Sequence, residues 1–423
     1  MKFYMAKKYS LHFALFSFLL LLPSSLLLSQ QAIITIWKDS AMGAIYNQAT
    51  LTVAYSKPDK KGTYHIYLSD TLGNNEIQIS YAGWRTDRQQ WAEEWMPDGK
   101  YIFCYVEKDE YVKEKIHKRK PVDACPGYGA YCDLWAMTPD GKKAWKVVDL
   151  PNSYNSGIIH SAISPDGKMF AWSERVKAPN LSFNTGAGCY VIRVADITVD
   201  SCPHFSNIRT FQPGGVDAST ELDGICPGDS VITFYSTFES KNILATPIYK
   251  INILTGKITK LTTASFSQAG TFTPDGKHIV YMTGDSCDRF PGQLQGADWW
   301  IMNTDGSGKR RLTFMNKKGN AQCDDHYRLA GTVSFMRNDC FLGGVMTKSF
   351  GLVGYTAKVT FTYPDELKTI DQQYNDCITA GNTFFANKNY TDARKQYEKA
   401  SALKPGEQYP KDRIAECDLL MKK

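Results

Sequence analysis

The sequence has little net charge. Its 423 residues include 49 Lys and Arg against 43 Asp and Glu, a formal balance of +6. Lys2, Lys7 and Lys8 lie in an N-terminal leader; without them 46 basic residues face 43 acidic ones, a balance of +3. A nucleic-acid binder concentrates basic charge on one face, so that class is set aside. No C-x-x-C pair occurs, which removes the usual framework of a structural zinc site. Only seven histidines are present, one of them in the leader, and no two lie within a few residues of each other. A G-x-S-x-G elbow is missing, as is any phosphate-binding loop, so serine hydrolase and nucleotide chemistry have no carrier. Asp-Gly pairs at Asp98, Asp140, Asp166, Asp275 and Asp305 lack the spaced carboxylates of a calcium loop, and they are turn residues. Beyond the leader, no stretch is apolar enough to span a bilayer.

What is present begins with that leader. A basic start precedes a nearly continuous apolar run, Leu11 to Leu28, followed by Ser29, Gln30 and Gln31. This is the layout of a secretory signal peptide, residues 1–30, and it predicts an exported protein, periplasmic or extracellular, with no membrane span after cleavage. All eleven cysteines follow the leader, the first at Cys104. Export permits disulfides, and the odd count leaves at least one thiol over. The short loops Cys125–Cys132, Cys189–Cys202 and Cys287–Cys323 are the candidate bridges.

A repeated hairpin organises the rest. SPDGKMFAW runs from Ser164 to Trp172, MPDGKYIF from Met96 to Phe103 and TPDGKHIVY from Thr273 to Tyr281, with degenerate copies at Lys57 to Tyr67 and Met336 to Gly344. Proline presets the first corner of the turn, Asp suits the second, and Gly takes the left-handed conformation that follows. A second strand pair follows each hairpin, most plainly ADWWIMNTDGSGKRRLTF from Ala297 to Phe314. Four strands per unit with no helical period between them are the mark of a propeller blade.

These motifs resemble the TolB-type β-propeller repeat of exported bacterial proteins, over roughly Ile45 to Phe361. The resemblance implies a mainly β chain: a six-bladed propeller of four-stranded antiparallel blades across residues 32–363. Ile33 to Trp37 is expected to supply a strand that closes the ring, because closure removes exposed sheet edges. Three insertions, Lys108 to Lys120, Lys177 to Gly188 and Asp285 to Gly296, sit between the second and third strands of blades two, three and five. They should emerge on one face. After Tyr363-Pro364 the spacing becomes helical. Gly381, Phe384, Tyr390, Ala393, Tyr397, Ala400 and Pro405 resemble a single tetratricopeptide-type unit within residues 365–423, with Cys377 in place of the usual tryptophan.

In such a repeat the strand before each PDG is innermost and lines the central channel. Polar groups on or beside those strands are Glu93, Glu94, His160, Asp324, Asp325 and His326. Trp84 and Arg85, leading into blade two, are candidates for an exposed rim. We take these eight as the candidate binding residues and assign no catalytic group, metal ligand or cofactor. The reading is a non-enzymatic binding or scaffold protein whose partner is another envelope or secreted protein. The alternative is a carbohydrate-active enzyme, a metal-assisted polysaccharide lyase or hydrolase, with its site in the propeller funnel.

Overall fold

The computed structural model describes residues 32–114, 120–178, 188–228, 230–240, 242, 245–263, 266–284, 296–324, 326–347, 354–361 and 370–421. Residues 1–30, read from the sequence as a signal peptide, therefore lie outside the described residues. The chain forms six four-stranded antiparallel sheets in a ring.

The first strand to appear, β1 (Ile33–Asp39), does not belong to the first blade. Blade one is β2 (Met42–Asn47), β3 (Thr52–Pro58), β4 (Tyr64–Asp70) and β5 (Ile77–Gln78). Blade two is β6 (Gln90–Trp95), β7 (Ile102–Glu107), β8 (Cys132–Met137) and β9 (Ala144–Val148), with a short helix α1 (Asp109–Glu114) between β7 and β8. Blade three is β10 (Gly157–Ile163), β11 (Met169–Lys177), β12 (Cys189–Val199) and β13 (Pro203–Phe211). Blade four is β14 (Thr220–Ile225), β15 (Val231–Ser236), β16 (Ile248–Asn252) and β17 (Ile258–Lys260). Blade five is β18 (Ser267–Phe272), β19 (His278–Thr283), β20 (Asp298–Asn303) and β21 (Arg310–Arg311). Blade six has β22 (Leu329–Arg337), β23 (Cys340–Met346) and β24 (Gly354–Thr360), and β1 pairs with β24 as its outermost strand. The N-terminal strand thus closes the ring, as the edge argument requires.

The PDG turns are punctuation. Asp98, Asp166 and Asp275 each accept the amide two residues on through Oδ1, and Ser164 and Thr273 donate their hydroxyls to Asp166 and Asp275. The blades pack through apolar faces. Trp172 and Trp299 are almost wholly buried, each within a cluster that spans two neighbouring blades.

Each innermost strand carries one extra residue. The register slips between Met42 and Ile45 in β2, Ala92 and Glu94 in β6, and Ile159 and Ser161 in β10. It slips again between Leu222 and Gly224 in β14, Gln268 and Thr271 in β18, and Ala330 and Val333 in β22. Such bulges take backbone groups off the ladder and turn a side chain toward a new direction. Backbone groups at and beside these bulges are satisfied across blade junctions. Ser56 accepts the Ala92 amide at 2.8 Å, Glu93 the Ser161 amide at 3.0 Å, and Ser173 the Leu222 amide at 2.8 Å. Thr233 donates to the Gly270 carbonyl, the Trp299 indole to the Gly331 carbonyl at 2.9 Å, and Ser334 accepts the Tyr46 amide at 2.9 Å.

Among the described residues no two cysteines are joined in a disulfide. The Cys125 and Cys132 sulfurs lie 3.1 Å apart. Cys189 and Cys202 are not partners. Cys189 opens β12 and Cys202 follows its end, and eleven extended residues hold them about 33 Å apart at strand rise. Cys287 lies outside the described residues. The C-terminal segment forms three helices, α2 (Ile370–Ala386), α3 (Tyr390–Leu403) and α4 (Tyr409–Leu420). They share a small core of Ala393, Tyr397 and Cys417. Gly381 is required there, because a Cβ would lie 2.6 Å from the Tyr397 ring. No helix among the described residues is long and apolar enough to cross a membrane.

The junction bonds make a direct prediction. Ser173 is fully buried and Leu222 nearly so. Replacing Ser173 with Ala should strand the Leu222 amide and destabilise the fold by about 1–3 kcal/mol. Chemical denaturation of the two proteins measures this directly.

Candidate functional site: an acidic funnel

All six innermost strands meet around a cavity of about 330 Å³. The bulges decide what faces it. In blades two, three and four the extra residues are Glu93, His160 and Asp223, and Glu221 joins them from β14. In blades five, six and one the same positions hold Ala269, Gly331 and Gly43, so that half of the wall is small and is extended by Met42, Met282 and Met346. The funnel is acidic on one side and uncharged on the other, where Gln268 and Thr332 are the polar members of a mostly apolar wall.

The acidic half is tightly held. Glu93 accepts the Trp91 indole N–H at 3.0 Å through Oε2 and the Ser161 amide through Oε1. Glu221 accepts the hydroxyls of Ser219, at 2.7 Å, and of Tyr235. His160 places Nε2 3.6 Å from Glu221 Oε2. Its backbone is left-handed, with φ of 46°, a conformation that costs a non-glycine residue about 1–2 kcal/mol and marks positions where geometry serves a site. Gly43 takes the same conformation at 57° and leaves room for the Trp91 ring, which a Cβ would approach within 2.6 Å.

Burial dominates the electrostatics. It raises Glu93 above the ordinary carboxylate range, against the opposing pull of His160. Glu94 is raised further by burial and by the charge of Glu93. Asp223 is pushed up to about 8 by burial, opposed by the amides of Gly270 and Ala269. Its Oδ2 has no hydrogen-bond partner. Asp223 is partly buried and lines the cavity.

The insertion of blade two roofs one side. Val122, Cys125, Gly127 and Tyr128 line the cavity. This roof is stitched to blade three by the Ala130–Gly157 bridge, the Ile158 amide to Gly129, and the Tyr190 hydroxyl to the Tyr128 carbonyl at 2.7 Å. Its root is a buried ion pair between Lys108 and Asp133. The middle parts of the other two insertions, 179–187 and 285–295, lie outside the described residues.

The candidate residues from the sequence separate into three groups. Glu93 and His160 line the funnel, with Glu94 adjacent on β6. Asp324 and His326 do not line it; both are exposed on the loop before β22, where Asp324 pairs with Arg328 and with His326. The expected pair of funnel histidines is therefore a single histidine, because the connection into blade six carries His326 ahead of the strand. Asp325 lies outside the described residues. Trp84 is not on a rim: it is 6% exposed, edge-on to Tyr81 and Trp135 in the core between blades one and two. Arg85 is exposed, held by Asp87 at 2.7 Å. Sequence reasoning missed Glu221 and Asp223. Their strand precedes Cys226-Pro227-Gly228, which hides the PDG signature, although the bulges match Thr220-Glu221-Leu222-Asp223 to Gln90-Trp91-Ala92-Glu93.

The elevated Asp223 generates a test. A carboxyl whose folded value exceeds its unfolded value favours folding below about 4, and that contribution is lost as pH rises to about 8. Asp223→Asn, which keeps a neutral group in place, should match the parent near pH 4 and exceed its stability at pH 8. The gain should be about 2 kcal/mol after allowance for water in the funnel. Denaturation midpoints across that range provide the comparison.

No protein family matches this chain, and no curated protein is similar to it. Solved structures with a similar fold include a TolB from Acinetobacter baumannii, at 14% identity over 75% of this chain, with a TM-score of 0.44. The present chain spans 65% of that protein's length. A putative TolB from Agrobacterium tumefaciens has 12% identity over 79% of this chain and all of its own, with a TM-score of 0.45. An oligogalacturonate lyase in complex with manganese has 10% identity over 80% of this chain and 98% of its own, with a TM-score of 0.42. The likeness at these identities is one of propeller fold.

Proposed function

We propose that this chain is a binding protein that takes an amine-bearing segment of a protein partner into its funnel. The observation that carries the reading is the division of the cavity wall. Glu93, Glu221 and Asp223 crowd one half, while Gly43, Ala269, Gly331 and three methionines form the other. A primary ammonium on an aliphatic stem, such as a lysine side chain, matches both halves. Its charge answers carboxylates that burial otherwise penalises, and its methylenes lie on the small and sulfur-bearing surface. The rings of Tyr64 and Trp91, 5.7 Å apart, add an aromatic flank suited to a cation.

Nothing in this arrangement needs a nucleophile, and no elbow motif supplies one. The leader places the binder outside the cytoplasm in this reading. The three C-terminal helices, whose small and aromatic positions follow the tetratricopeptide pattern, offer the partner a second contact.

The binding should depend on pH in a defined direction. A cation favours ionised Asp223, so its affinity should rise as pH increases toward about 8, with protons released on binding. Calorimetry with a short lysine-containing peptide and its ε-acetylated form tests this. The free amine should bind, the acetylated form should not, and Glu221→Gln should weaken binding by roughly tenfold or more. Equal binding of both peptides would overturn the reading. So would cleavage of an oligosaccharide by the intact chain with divalent metal, if Glu93→Gln abolished it.

A further inference from the structure

The turn between β12 and β13 brings together three different donors that the funnel does not use. Asp200, Cys202 and His204 alternate in the sequence Asp-Ser-Cys-Pro-His, and their side chains converge within 4.8 Å of one another. His204 Nε2 lies 3.0 Å from Asp200 Oδ1 and 3.5 Å from Cys202 Sγ. The hairpin fixes this placement, because Thr198 pairs with His204 and Val199 with Pro203. Cys202 is 8% exposed, while the carboxylate and imidazole stand at the surface.

We propose that these residues form a transition-metal site, with zinc(II) as the best-fitting ion. Two observations point to a ligand rather than to an ordinary turn. The first is the donor set: thiolate, imidazole and carboxylate on one ion suit zinc, whereas calcium and magnesium take oxygen alone. The second is spacing. Tetrahedral zinc with a sulfur at about 2.3 Å and a nitrogen at about 2.05 Å separates those two atoms by about 3.5 Å. The observed sulfur–nitrogen distance is 3.5 Å. The oxygen–nitrogen separation in the same geometry is about 3.3 Å, so the 3.0 Å pair opens by a few tenths of an ångström on binding. Three protein donors leave the fourth position to water or to a donor from another molecule. Binding would expel the Cys202 thiol proton to solvent, leaving the sulfur as a thiolate on the ion.

The site sits at the tip of blade three, and none of its residues lines the funnel. Metal uptake is therefore separable from amine binding.

The test uses the full chain, reduced and freed of metal, titrated with zinc chloride and separately with cobalt(II). Cobalt reports directly on the donors, since tetrahedral thiolate ligation gives intense visible bands and a near-ultraviolet charge-transfer band. The parent should take up zinc at this site and show both cobalt signals. Cys202→Ser should abolish the charge-transfer band, and His204→Gln should weaken uptake at least tenfold. Asp200→Asn, which keeps the shape of the turn, should weaken it while leaving the funnel's peptide affinity unchanged. Absence of zinc uptake by the parent would overturn the proposal. So would uptake and cobalt spectra that are the same in Cys202→Ser as in the parent, since the metal would then sit on other cysteines.

Discussion

The ring depends on hydrogen bonds that cross from one blade to the next at the bulges. An extra residue in an innermost strand removes a backbone amide or carbonyl from its ladder, and an unpaired buried polar group is expensive. Ser56, Glu93, Ser173, Thr233, Trp299 and Ser334 supply the missing partners. No blade is therefore fully satisfied alone. Apolar packing between sheets has no direction, but these bonds do, and they set the angular position of each blade against its neighbour.

The same bulges create the site. A regular strand alternates its side chains between faces; an added residue departs from that alternation and points into the channel. Where that residue is Ala or Gly the channel widens, and where it is Glu, His or Asp it becomes chemically active. One backbone device repeated six times thus gives a two-sided cavity, with the difference written in a few side chains. Glu93 joins the two roles, since its carboxylate both lines the funnel and holds the Ser161 amide of the next blade.

Much of the fold was legible because the propeller is built from local signals. Pro-Asp-Gly turns mark the first hairpins of blades two, three and five, and alternating apolar residues carry the count of sheets through the blades that lack them. The funnel was legible only where those turns announced the preceding strand, which is why Glu93 and His160 were found and Asp223 was not. Trp84 misled because its charged neighbours, Arg85 and Asp87, suggest a surface, whereas the indole turns inward onto Tyr81 and Trp135. Bulges leave no mark in composition or periodicity. They are set by contacts between blades, which a linear reading does not contain. The Cys189–Cys202 pairing failed for a related reason: loop length in sequence says nothing about distance when the intervening residues form one straight strand.

The clasp between β1 and β24 has a consequence for how the chain is made. Thr35 meets the Lys358 carbonyl across 323 positions of sequence. A ribosome delivers Ile33 long before its partner Thr360, so the first strand must wait, unpaired, through the synthesis of five blades. Its exposed Ile33 and Ile36 side chains are then an adhesive edge in search of a partner. Completion is a single late event of very high contact order. Until it occurs, every earlier blade belongs to an open arc whose two ends are competent to join a neighbouring molecule instead.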